Sequence, residues 1–382
     1  MVRVTGDRSP TPRSTPRSAP RSAPRVVLAT GGAGFIGSNL VRWLLESQPE
    51  LSVVNYDALT YAGNLESLAD VFAAHGSTGT GRHFFVRGDL TDADLMAAVV
   101  AGGAADTASG RLTPAPDVVL HLAAESHVDR SIIGASEFVR TNVTGTHILI
   151  DAVRHAVAAP RRAIRLVHVG TDEVYGALAP HEAAWTEESP LKPNSPYAAS
   201  KAAADCLVRA WHHTYGLDAM ITRCGNNYGP YQFPEKLIPL AVTRALAGAE
   251  IPVYGDGLQV RDWIHVTDHA RAIWAAALHG RAGETYNVGG GTELTNRAVL
   301  DEVLRLTGAK ESLLRTVTDR AGHDRRYALD GTKLARETGW KPMIPFAQGI
   351  TETVAWYRAN AEWWEHVRSE AYRTAEALYL RG

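Results

Sequence analysis

The chain has 382 residues, 45% of them hydrophobic, and a formal net charge of -2, which is enough apolar material for one large or two ordinary packed domains. The near-neutral balance gives no general attraction to nucleic acid or to a membrane surface, and no apolar run approaches the roughly 20 residues of a membrane span. Two cysteines, Cys206 and Cys224, support neither a disulfide framework nor a metal cluster, so a soluble, cytoplasmic protein is expected.

Residues 1–24 repeat Arg-Ser-x-Pro with almost no apolar side chain. Such a segment buries too little surface to offset its ordering entropy, and it lacks the apolar stretch of a secretory signal; a disordered, solvated tail is expected. From Arg25, "RVVLATGGAGFIGSNLVRWLLES" reads as strand, glycine turn and amphipathic helix. Gly31, Gly32, Gly34 and Gly37 satisfy both GxxGxxG and GxGxxG. Glycines there let the chain bend sharply and let backbone N–H groups approach a pyrophosphate at the helix N-terminus.

The second predicted strand, "LSVVNYD", ends in Asp57, 20 residues beyond Gly37. An acid at that spacing meets the adenine-ribose hydroxyls and repels a 2′-phosphate, so NAD is favoured over NADP; the plainer alternative is a turn residue. "GSTGTG" and "AGGAADTASGRLTPAP" read as surface loops. "RHFFVRGDL" offers a third strand ending in Asp89, placed to meet the adenine, and "PDVVLHLAA" and "IRLVHV" a fourth and a fifth. Strands alternating with helices predict an α/β fold, a doubly wound parallel sheet of Rossmann type, with ligands at the carboxyl ends of the strands.

The fifth strand runs into Asp172 and Glu173. Taken alone, these are either a solvated strand exit or an acid/base pair. Downstream, "PYAASKAAAD" sets Tyr197 and Lys201 one helical turn apart, on one face. A phenol with a pKa of about 10 needs about 4 kcal/mol of differential stabilisation to act as a base near neutrality, and a neighbouring ammonium and a positive nicotinamide are the right kind of help.

A glycine turn with a later YxxxK resembles the extended short-chain dehydrogenase/reductase superfamily. "DALTYAGNLESL", "HLAAESHVDRSI", "TDEVYG", "NNYGPYQFPEKLIPL", "RDWIHVTDHARAIW" and "GHDRRYALD", in that order, resemble the dTDP-glucose 4,6-dehydratase family within it, over nearly all of the chain but the tail. The resemblance implies that Tyr197 takes the proton of the sugar 4-OH as hydride leaves C4, that Glu173 removes the C5 proton, and that Asp172 protonates the departing 6-hydroxyl. The hydride then returns to C6 and a proton to C5. Two adjacent carboxyls held in different protonation states suit that division. Thr171 would position O4, and Lys201 would hold the nicotinamide ribose and depress the Tyr197 pKa.

The resemblance also places Phe35, Ile36, Leu59, Thr60, Gly63, Leu90, Leu122, Ala123 and Ala124 against the cofactor, with Gly31, Gly34, Gly37, Asp57 and Asp89. It sets Ser126, Asn226, Lys236 and Leu237 near the sugar or diphosphate. Tyr254, Arg261, Asn296, Arg320, His323 and Tyr327 fall around the nucleotide, Tyr254 as a stacking face and arginine as a bidentate phosphate fork. His127 reads as structural. The implied partner is a dTDP-sugar, and a homodimer through the YxxxK helix follows, its continuation "AAADCLVRAWHHTYG" being apolar enough for a four-helix interface. Residues 25–224 with 259–290 would form the cofactor domain, and 225–258 with 291–382 a smaller α/β substrate lobe, with Trp363 and Trp364 anchoring a last helix.

The chain departs from the family pattern at Gly170 and Gly225, usually serine, and at Ala321, usually proline. A nucleotide-sugar epimerase or decarboxylase would share Tyr197 and Lys201, but an epimerase has no use for an acid at Asp172, and a decarboxylase would want a cation for its substrate's carboxylate. A dehydratase acting on another nucleotide or an N-acetyl sugar is a further alternative. A non-enzymatic NAD-binding regulator would have no reason to carry all four reactive side chains.

Overall fold

The computed structural model describes residues 23–159, 162–319 and 322–368. The tail, Arg320 and Ala321 therefore lie outside the described residues, residues 23 and 24 of the tail excepted. The strands are β1 Val26–Thr30, β2 Ser52–Asp57, β3 His83–Arg87, β4 Val118–His121, β5 Arg165–Thr171, β6 Ala219–Cys224, β7 Asn226–Tyr228, β8 Ile251–Tyr254, β9 Val260–His265, β10 Thr285–Val288, β11 Glu293–Thr295 and β12 Leu314–Val317.

Seven strands form one parallel sheet in the order β10-β6-β5-β4-β1-β2-β3. The order reverses between β1 and β4, and the carboxyl ends there open the crevice in which doubly wound folds bind ligands. Both faces are covered, so the strands are apolar almost throughout. One face buries Val27, Val53 and Leu120 under Leu40, Val41, Leu44 and Leu45 of the helix Phe35–Ser47. The other buries Leu28, Val54 and Leu166 with Leu149, Ile150 and Val153 of the helix Thr146–Val157.

β3 is an edge strand and ends at Arg87, two residues before Asp89. The loop read as surface in the sequence does more than connect: it covers that edge. The Asp106 carboxylate accepts from Phe85 N at 2.7 Å, Thr107 N donates to Phe85 O at 2.6 Å, and Arg87 N donates to the Thr107 hydroxyl at 2.9 Å. Edge groups that would otherwise template another strand are thereby satisfied.

A second core holds Ile238, Val242, Ile251, Val299, Val303, Ile350, Val354 and Tyr357. β9 lies between β7 (parallel) and β11 (antiparallel), and β12 pairs with β8. Trp364 is buried and donates to Tyr357 O at 2.9 Å, while Trp363 packs edge-on against Tyr231 and Trp356. That pair anchors the helix Ala361–Val367 on this core. Leu334 and Trp340, by contrast, join the first core, so the segment after residue 330 crosses back to the main sheet. No described helix is long and apolar enough to cross a membrane.

Candidate active site

One continuous cleft runs from the glycine turn across the carboxyl ends of β1, β4, β5 and β6 to the second core. Its first wall is dictated by close backbone approach. Gly31 adopts φ +73°, and a Cβ there would stand 2.6 Å from Ala123 N; a Cβ on Gly37 would stand 2.0 Å from Gly31 O. No larger residue fits either place, and the helix Phe35–Ser47 thus presents its free N–H groups to the cleft. The Asp57 carboxylate closes the turn by accepting from Ala33 N at 2.9 Å and Leu59 N at 2.8 Å. Burial raises its pKa against those backbone N–H groups. This cradle of glycines, helix N-terminus and strand-end acid fits a dinucleotide.

Gly31, Gly34, Phe35, Ile36, Gly37, Asp57, Thr60, Gly63, Asp89, Leu90, Leu122, Ala123 and Ala124 all line the cleft. Leu59 does not: with φ +55° its side chain turns onto the first core, and only its N–H serves the site, on Asp57. Asp89 sits at the mouth with its oxygens engaged, Oδ1 by Thr91 N and Oγ1 and Oδ2 by Arg140 at 2.8 Å. Arg140 also donates to the Thr91 hydroxyl at 2.7 Å and itself lines the cleft.

The reactive helix, Pro196–Tyr215, is set by local chemistry. The Ser195 side chain accepts from Ala198 N at 3.1 Å, Pro196 occupies the first turn, and Gly216 ends it in the left-handed region. Tyr197 and Lys201 are buried on its inward face. Lys201 Nζ donates to Val169 O at 2.8 Å, and burial pulls its pKa down to about 8 against the pull of Asp205. The Tyr197 phenol moves opposite to the expected depression by Lys201: burial first, then Glu173, push it well above its ordinary value, opposed by a hydrogen bond with Thr171. Within the chain, Lys201 is directed at the Val169 carbonyl.

Thr171 ends β5 and caps a short 3-10 turn, Asp172–Tyr175. Its hydroxyl accepts from Glu173 N at 3.3 Å and donates to Asp172 Oδ1 at 3.2 Å. Asp172 is only 2% exposed, and its Oδ2 has no hydrogen-bond partner among the described residues. Burial, then Glu173, push its pKa well above the carboxylate range, with Arg261 opposing. Glu173 is partly exposed in the same cleft. The pair is therefore a buried acid beside a more solvated neighbour.

Ser126, Asn226, Lys236, Leu237, Tyr254, Arg261, Asn296 and His323 line the far part of the cleft. Lys236 Nζ donates to Ser126 O at 3.1 Å, joining the second core to the loop after β4. His127 caps the helix Val128–Ile133 and is buried. Tyr327 is also buried, but behind the cleft wall: the Arg261 guanidinium lies 4.2 Å from its ring centroid, and its hydroxyl donates to Asp324 Oδ2 at 2.6 Å.

Besides Arg140, two further groups were missed in the sequence. Glu235 lines the cleft and accepts from Tyr61 OH at 3.2 Å; its adjacency to Lys236 in "FPEKLIP" was the available signal. Asn142, on the π-helical stretch Val139–Gly145, donates to Glu125 O and to Ser200 Oγ, both at 2.9 Å, and pins the loop after β4 to the reactive helix. Nothing local in the sequence marks it.

Gly170 and Gly225 are packing positions. A Cβ would stand 2.9 Å from Thr222 O at the first and 2.6 Å from Asp262 O at the second, so neighbouring backbone occupies the space a serine side chain needs.

A family model described as GDP-mannose 4,6 dehydratase matches residues 28–353. A dTDP-glucose 4,6-dehydratase of Streptomyces niveus is 50% identical over 347 residues, covering 90% of this chain and 96% of the relative. dTDP-glucose 4,6-dehydratase 1 of Escherichia coli K12 is 47% identical over 367 residues, covering 91% and 97%. The solved structure of DesIV, a dTDP-glucose 4,6-dehydratase from Streptomyces venezuelae with NAD bound, superposes with a TM-score of 0.81 at 51% identity, covering 90% of this chain and 99% of that one. On a family match running from β1 into the last helices, and on near-full-length relatives at about half identity, the chain belongs to the dTDP-glucose 4,6-dehydratase family.

Proposed function

We propose that this chain is an NAD-dependent dTDP-glucose 4,6-dehydratase, converting dTDP-glucose to dTDP-4-keto-6-deoxyglucose and water. Gly31, Gly34, Gly37, Asp57, Tyr197 and Lys201 would hold NAD. When bound, it supplies a hydride acceptor for C4 and the same hydride for C6. Tyr197 takes the 4-OH proton, with Thr171 positioning O4. Glu173 removes the C5 proton that the 4-ketone acidifies. Asp172 gives its proton to the 6-hydroxyl, which leaves as water, and a proton returns to C5 once C6 has received its hydride. Ser126, Asn226, Lys236 and Leu237 serve the sugar and diphosphate, and Tyr254, Arg261, Asn296 and His323 the nucleotide. Tyr327 acts from behind Arg261.

The observation that carries this reading is Asp172: a buried carboxyl with an unpartnered oxygen, pushed toward its protonated form, next to a more exposed carboxylate. An elimination at C5 and C6 needs that acid; a C4 epimerisation does not. The test is mass spectrometry of dTDP-glucose incubated with catalytic NAD, with UDP-, CDP- and GDP-glucose in parallel. Loss of one water from the dTDP sugar, without net cofactor reduction, is expected. Water loss from another sugar alone would reassign the nucleotide, and no water loss from any would refute the reaction.

We read residues 25–224 with 259–290 as the cofactor lobe and 225–258 with 291–382 as the sugar lobe, whose Leu334 and Trp340 pack back onto the first core, and the site of action as the cytoplasm. A homodimer through the reactive helix is supported by Ile132, Ile133 and Val139, exposed at 46%, 71% and 53% on neighbouring helical segments. Sedimentation at assay concentration tests it.

A further inference from the structure

We propose that Asp324 is a positioning residue that couples the nucleotide-holding segment to both carriers of catalytic side chains; this rests on the functional reading above. Its Oδ1 accepts from Asn194 Nδ2 at 2.7 Å, its Oδ2 accepts from Tyr327 OH at 2.6 Å, and its backbone carbonyl accepts from Arg261 at 2.9 Å. Each partner leads somewhere definite. Asn194 immediately precedes Ser195, the cap that starts the helix of Tyr197 and Lys201. Tyr327 packs in a small core with Val174 and Tyr175, the residues that complete the turn of Asp172 and Glu173. Arg261 lines the cleft, as does His323, the residue before Asp324.

The approach is close as well as bonded. Gly322 stands against the helix entry with φ +67°, and a Cβ there would lie 3.2 Å from Asn194 O. One carboxylate thus holds the entry of the reactive helix with one oxygen and the support of the acid turn with the other. Its own backbone meanwhile belongs to the segment that meets the nucleotide. Binding energy from a non-reacting part of a substrate raises kcat only if it is expressed as position at the reacting centre. Asp324 supplies such a path through two hydrogen bonds to a charged acceptor, the stronger kind.

A positioning role differs from simple support of the nucleotide pocket in which kinetic constant moves. The experiment measures kcat, KM and dTDP affinity by calorimetry for Asp324→Ala, Asn194→Ala and the double variant. Expected are kcat losses of about 10- to 100-fold for each single variant, with dTDP affinity changed by less than about 3-fold. The double variant should be no worse than the poorer single one, since both cut the same link. Asp324→Asn, which keeps shape and one acceptor oxygen, should recover part of kcat, and it stands in if Asp324→Ala does not fold. Multiplicative losses in the double variant, or weakened dTDP affinity with kcat intact, would overturn the coupling while leaving the functional reading in place. A wild-type enzyme inactive on dTDP-glucose would overturn both.

Discussion

Asp172→Asn separates the chemistry of the acid turn from its stability. The substitution keeps shape but removes the proton that Asp172 would deliver. Loss of a positioned general acid costs about 10²–10⁴ in rate, equivalent to about 3–5 kcal/mol of barrier. Stability moves the other way with pH. The folded-state pKa of Asp172 is raised, by burial first and then by Glu173 and Asp262. At this site the folded protein therefore binds more protons than the unfolded chain above the unfolded pKa of about 3.9, and the contribution of Asp172 to stability falls as pH rises from there until the folded pKa is passed. Asparagine does not titrate. The variant's stability relative to wild type should therefore rise with pH, by up to about 1.4 kcal/mol per pH unit for one proton. Denaturant unfolding of both proteins at several pH values between 4 and 8, on the order of one measurement per pH unit, alongside turnover by mass spectrometry, reads both effects. A stability difference that stays flat across that range, or a variant with full turnover, would refute the protonated-acid assignment.

Glu173→Gln should abolish water loss and stop deuterium from heavy water entering C5, read by mass spectrometry; continued exchange would move the base elsewhere. Arg140→Ala removes the link between the π-helical stretch Val139–Gly145 and the Asp89–Thr91 turn across the cofactor end of the cleft. As a half-exposed pair worth about 0.2–1 kcal/mol, its loss should speed NAD dissociation by up to about 5-fold, seen by rapid dilution and fluorescence, with an unchanged off-rate counting against it. Gly225→Ser should cost about 1–3 kcal/mol of stability, because Asp262 O stands 2.6 Å from the Cβ position, and Gly170→Ser somewhat less. Midpoints equal to wild type would return these positions to a question of missing hydroxyls.

What was legible in the sequence was local. The glycine turn, Asp57 at the end of β2, and the Ser-Pro start of the reactive helix are each written within a few residues, because backbone conformation and capping are short-range. Tyr197, Lys201, Asp172 and Glu173 followed from helical spacing and a strand end. What escaped depends on packing between distant segments. Leu59 turns away because of one left-handed residue, and Tyr327 lies behind Arg261 because a small core with Trp185 claims its ring. Lys201 finds Val169 O, 32 residues away, and the loop over β3 finds its edge. Gly170 and Gly225 looked like lost hydroxyls until the neighbouring strands supplied the backbone atoms that exclude a side chain.

The inequality of the two adjacent acids follows from where the strand stops. Successive residues of a 3-10 turn diverge by about 120°, so Asp172 and Glu173 cannot share an environment. Both line the cleft, the first at 2% exposure and the second more open to solvent. What touches the first then decides its protonation. The Thr171 hydroxyl does, a neutral donor. The nearby cations give hydrogen bonds to carbonyls: Lys201 donates to Val169 O, while Arg261 donates to Val260 O and Asp324 O with its guanidinium over the Tyr327 ring. A direct ion pair to either would favour the carboxylate and remove the acid. The carbonyls of Val169 and Asp324 thus do more than satisfy cations, because by engaging those donors they leave burial and the Glu173 charge to outweigh the pull of Arg261 and keep Asp172 an acid.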